Sequence, residues 1–175
     1  MKCAVVVGHN AIAPGAWSHY LQLHEHEYHL RVVKHLNHDL IDIYHRPNLR
    51  SYGLATEQLA RQVNSKHYDL VMELHFNAFD QVANNIGVGT EAIIYPGSQK
   101  AREVGERYCE AVSEKYGTIN RGVKEHGPGM RGHLFLRSMR APAIILEGFF
   151  GDEYEAQYFS DPKTYAEVIL DVLYG

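Results

Sequence analysis

Short apolar runs recur along this chain, and between them lie segments whose apolar residues fall at helical spacing. The runs are residues 3–7 in CAVVVG, 40–44, 68–76 in YDLVMELHF, 88–96 in VGTEAIIYP and 142–150 in PAIILEGFF. Near-continuous apolar runs of this length read as strands buried on both faces. The intervening segments read as helices over 25–36, 53–66, 98–116 and 163–174. Tyr28, Val32, Val33 and Leu36 share one helical face in the first, as do Leu54, Leu59 and Val63 in the second. Gly117 supplies a stop for the third. Strands alternating with helices predict an α/β domain with a twisted central sheet, mostly parallel or mixed, of about six strands, and helices on both faces. HLFLRS, residues 133–138, is counted as the remaining short strand, and RGVKEHGPGMRG, residues 121–132, as a glycine-rich loop.

The chain of 175 residues is the size of one domain, and it shows no repeat, low-complexity linker or composition break, so residues 1–175 read as a single domain. It is long enough to bury roughly two thirds of its unfolded surface. A net charge of −4 and the lack of a basic stripe argue against nucleic-acid binding. No apolar run approaches the roughly 18 residues of a membrane span. The opening MKCAVVVGHN turns polar too soon for a secretory signal and reads as a first strand. Cys3 and Cys109 fall in a strand and a helix and read as two buried thiols. Of twelve histidines, seven lie between His19 and His45, more than one metal site can use.

Polar groups set at the ends of apolar runs carry the functional signal, because ligands gather at the carboxyl ends of strands in such sheets. His9 follows the first strand, His75 lies near the end of the third, and Glu147 interrupts AIILEGFF, residues 143–150. A carboxylate in that apolar run costs several kcal/mol unless a charge or hydrogen bond meets it. Glu25 opens the first helix, where an acidic residue also favours the helix dipole. Two imidazoles and a carboxylate suit a catalytic zinc ion, with a second carboxylate to move the proton of a water. By strand alternation Glu73 shares a face with His75 and Asn77, where it can buttress a ligand or simply edge the strand. The glycine spacing of VGHNAIAPG fits neither common phosphate-binding loop.

VVVGHN, HEYHLRVVKHL, ELHFNA and PAIILEGFF, in this order, resemble the zinc-dependent N-acetylmuramoyl-L-alanine amidases of the amidase-3 family, most nearly the phage endolysin branch. The resemblance runs from Cys3 to about Tyr174. It implies one zinc ion held by His9, Glu25 and His75, with Glu147 as the catalytic acid/base. It also implies peptidoglycan as substrate, cut between the lactyl group of N-acetylmuramic acid and L-alanine. The chain departs from the pattern at Asn10, where glycine is usual, and at His29, where asparagine is usual. Glu27 is a rival to Glu25 that fits the motif less well, and His29 offers a second imidazole one turn on. Asn77, Glu91, Arg131 and His133 are further candidates for binding substrate or supporting the site, and Trp17 and Tyr20 for walling a groove.

The setting implied is an endolysin without a wall-binding domain, monomeric, made in a host bacterial cytoplasm and acting on the wall after release. A zinc peptidase acting on stem peptides, or a wall-binding module that has lost catalysis, would share the same scaffold.

Overall fold

The computed structural model describes residues 1–79 and 88–175. In chain order the elements are β1 (Cys3–Val7), a two-stranded hairpin of β2 (Trp17–Ser18) and β3 (Leu23–His24), α1 (Glu25–Val33), β4 (Ile41–His45) and α2 (Tyr52–Val63). They continue with β5 (Leu70–Asn77), β6 (Thr90–Ile94), α3 (Gln99–Tyr116), β7 (Asn120–Glu125), α4 (His133–Ser138) and β8 (Ala143–Phe150). A 3-10 turn over Tyr154–Phe159 leads into α5 (Pro162–Tyr174).

Six strands form one mixed sheet in the order β4-β1-β5-β8-β6-β7. All neighbours run parallel except β6 and β8, which are antiparallel. Strand alternation divides the core in two. Val5, Met72, Leu74 and Leu146 face α1, α3 and α5. Val6, Val71, Ile93 and Ile145 face α2 and α4. Helices thus cover both faces, as the alternation of runs predicts, but the second layer is thinner because α4 has only 6 residues.

Three local expectations are corrected. Residues 133–138 form helix α4, not a strand: Phe135 and Leu136 are adjacent and both buried, which a strand with one face on the core does not provide. The sixth strand is instead β7, inside the segment read as a glycine-rich loop. It lies at the sheet edge with its residues exposed or half-buried, so it lacks an apolar run. Strand β8 also runs on past Glu147 to Phe150, with every residue buried, so Glu147 lies within the strand rather than at its end.

Candidate active site and metal centre

The carboxyl edges of β1, β5 and β8 lie side by side, and this brings the separated motifs together. His9 comes two residues after β1, at φ +60°, a left-handed conformation that a histidine rarely adopts. Gly8 must be glycine there, since a β-carbon would lie 2.4 Å from the Leu74 carbonyl oxygen and 2.7 Å from the His75 ring. Behind the turn, His26 Nδ1 is 3.0 Å from the Gly8 carbonyl. Asn10 donates to the carbonyls of Pro47 and Leu49 and accepts from the backbone of Ile12 and Ala13, stitching two loops together. That is the role of asparagine where the related pattern has glycine.

Glu25 opens α1 and is buried. Its Oε1 lies 2.6 Å from His75 Nδ1 and accepts from the Phe76 backbone N–H, while Oε2 lies 3.0 Å from His9 Nε2. Ligand atoms of His9, Glu25 and His75 all fall within 4.8 Å of one another. Glu27 points elsewhere and closes a capping box on the His24 N–H. Burial opposes charge on Glu25, but His75 and His9 outweigh it and hold the carboxyl well below its usual range. Burial likewise opposes charge on His75, yet Glu73 and Glu25 raise it to about 10. The pocket therefore favours positive charge between these carboxylates, and two imidazoles with one carboxylate are a donor set that suits a divalent cation such as zinc.

Glu147 sits on β8 opposite His75. Its Oε1 is 3.1 Å from an Arg131 guanidinium nitrogen, and its buried Oε2 has no hydrogen-bond partner. Burial, partly offset by His75 and Arg131, lifts this carboxyl to about 7. A half-satisfied carboxylate beside the cluster is placed to take up a proton. Glu91 reaches the same edge because β6 is antiparallel to β8 and so begins there, paired with Glu147. It accepts from Asn77 Nδ2 at 2.8 Å and Arg121 Nε at 2.8 Å, and Arg131 also donates to Asn77 Oδ1 at 3.1 Å. A groove of about 610 Å³ opens over the cluster, lined by His9, Glu25, His75, Glu147, Arg131 and His133 among others.

His29 is fully buried among Tyr28, Phe76 and Tyr165, with neither ring nitrogen hydrogen-bonded, and stands outside the cluster. Trp17 packs on His24 and Tyr20 on Tyr154, and neither lines the groove. Sequence reading missed Arg46, which is buried against Glu73, and Arg121. The signal available for Arg46 was its place immediately after a strand, at the same carboxyl edge.

A mixed α/β sheet that gathers, at one edge, a His–Glu–His cluster able to hold a metal ion and a buried glutamate defines an α/β domain with a candidate metal centre. The chain belongs to the Amidase_3 family, N-acetylmuramoyl-L-alanine amidase, whose model matches residues 4–174. The uncharacterized protein CPE1502 of Clostridium perfringens (strain 13 / Type A) is 29% identical over 178 residues, which cover 99% of this chain. The match spans about half of that relative, 49% of its length. The fold is shared with the catalytic domain of the CD27L endolysin targeting Clostridia difficile, at a TM-score of 0.79 and 24% identity over 99% of this chain and 96% of that one. It is shared too with an N-acetylmuramoyl-L-alanine amidase from Clostridium difficile 630, at a TM-score of 0.76 and 18% identity over 98% and 94% of the chains.

Proposed function

We propose that this chain is a zinc-dependent amidase that hydrolyses the bond between the lactyl group of N-acetylmuramic acid and L-alanine in peptidoglycan. The observation that carries the reading is Glu147 Oε2, buried and unpartnered, next to the His9, Glu25 and His75 cluster in a chain of this family. His9, Glu25 and His75 would hold one zinc ion, which when bound would polarise the scissile carbonyl and acidify a water. Glu147 accepts the proton of the attacking water at Oε2 and returns it to the departing amine of L-alanine. Arg131 holds Oε1 of the same carboxylate, which leaves Oε2 as the proton carrier. Asn77 and Glu91 keep the exposed Arg131 side chain over the groove. We further propose the setting implied by the endolysin-like motifs: a protein that meets the wall only after release from a host cytoplasm.

Mass spectrometry of products from purified peptidoglycan, with and without a chelator, tests the reading. Chelator-sensitive release of stem peptides with a free L-alanine amino terminus, and intact glycan strands, is expected. Cuts within the stem peptide would replace the amidase by a peptidase. Binding to walls without cleavage would make the chain a binding module.

A further inference from the structure

One buried charge pair plays no part in the chemistry above. Arg46, just past β4, and Glu73, within β5, have side chains 3% and 1% exposed and meet through Arg46 Nε and Glu73 Oε1 at 2.5 Å. Arg46 Nη1 also donates to Thr56 Oγ1 of α2 at 2.7 Å, and the guanidinium lies 4.8 Å from the centre of the Tyr52 ring. Such a pair is a weak source of stability, because removing two charges from water offsets most of their attraction. Its other carboxylate oxygen has a more specific contact: Glu73 Oε2 is 3.2 Å from His75 Nε2. The opposite nitrogen of that ring, Nδ1, is the one facing Glu25.

We infer that Arg46 and Glu73 are positioning residues that fix His75 as the Nε2–H tautomer, so that it presents Nδ1 to the metal. The inference rests on the amidase reading only for the presence of zinc. A neutral imidazole has one N–H and one lone pair, and an ionised carboxylate can only accept. Both ring nitrogens face a carboxylate, so a cation seated between Nδ1 and Glu25 would take the Nδ1 lone pair, and the one remaining ring proton stays on Nε2, which donates it to Glu73. Arg46 occupies Glu73 Oε1 with a charged donor, which holds the carboxylate turned with Oε2 toward the ring. Thr56 and the Tyr52 ring hold the guanidinium in turn. Carboxylate partners of this kind tune metal affinity by roughly 10–100-fold where they hold a ligating histidine. Asn10 joins the same arrangement from outside, since its bonds to Pro47 and Leu49 hold the loop that begins at Arg46.

The test is nitrogen-15 NMR of histidine-labelled, zinc-loaded wild-type protein, together with zinc affinity by competition with a chromophoric chelator. The expected spectrum has His75 protonated at Nε2 and metal-bound at Nδ1. Glu73→Gln and Arg46→Met are each expected to weaken zinc binding by roughly 10–100-fold. A zinc-bound His75 protonated at Nδ1 would overturn the inference, and that measurement needs no variant to fold. So would folded variants, verified by thermal melting, that hold zinc as tightly as the wild type. A wild-type protein that binds zinc through His75 Nδ1 but cleaves no peptidoglycan would leave this arrangement standing and remove the amidase. A wild-type protein that takes up no zinc would remove both.

Discussion

At the level of single residues, the site divides into side chains that touch reacting atoms and side chains that hold them. Glu147→Gln is close to isosteric but cannot take up a proton. It should retain bound zinc and lose on the order of 10²- to 10⁴-fold in turnover, measured by metal analysis beside peptide release. His29 makes a separate prediction, about stability. Burial, with a smaller opposing pull from Glu25, lowers its pKa to about 3. A cation at the cluster would push in the same direction. Because the folded value lies below the unfolded one, the unfolded chain binds the extra proton in acid. Stability is thus complete above about pH 6.5 and is lost progressively as the pH falls toward 3, by roughly a few kcal/mol in all. His29→Leu also removes two unsatisfied buried nitrogens. Its urea midpoint should exceed the wild-type value at pH 5 by more than at pH 7.5; equal differences at both pH values would count against a neutral, buried imidazole. His9, His75 and Glu147 were legible because polar residues set in or just past buried apolar runs have few structural reasons to be there, whereas Glu25, at a helix start that favours an acidic residue anyway, was picked out by the family motif. Arg46 was not, because its partner lies 27 residues away and nothing in HRPN signals burial.

Among the elements, what could be read was set by how strongly each is patterned. β1, β5 and β8 are buried along their length and declare themselves as apolar runs. β7 carries Arg, Lys and Glu at the sheet edge and shows no run. α4 is too short for its period to be distinguished from a strand. The link between these two elements is also where the groove gains Arg131, with His133 following at the start of α4. Gly132 closes that link at φ +75°, and a β-carbon there would lie 2.4 Å from Ile145 Cδ1 on β8. Gly132→Ala should therefore cost about 1–3 kcal/mol through backbone strain and crowding. It should also lift the Arg131 loop from the sheet. Urea unfolding reads the first effect. A raised KM with zinc content unchanged reads the second, and unchanged values of both would show that the loop is free to adjust.

Across the whole molecule, the two cores and the metal cluster are distinct sources of stability. The cores run along both faces of the sheet and are built from apolar side chains, none of them a member of the cluster. His9, Glu25 and His75 lie at one edge, held by a strained turn, a helix start and a strand. Bound zinc favours the folded state alone and adds about 4 kcal/mol when free metal exceeds its dissociation constant 1,000-fold. For a chain of this size each kcal/mol shifts the midpoint by about 2–4 °C. Chelation should therefore lower Tm by roughly 8–16 °C. At 25 °C the far-UV circular dichroism should stay unchanged, because strand pairing and the two apolar cores hold the sheet and its helices. Loss of that signal on chelation would instead show that β1 and β5 need the metal to hold their carboxyl ends together. The His9 turn, with its unfavourable φ and two imidazoles gathered on one carboxylate, is the part expected to relax first. Hydrogen exchange on either side of chelation should then show loss of protection at Gly8, Glu25 and His26, whose amides bond to Leu74, Ala16 and Pro14, while the amides of β8 remain protected.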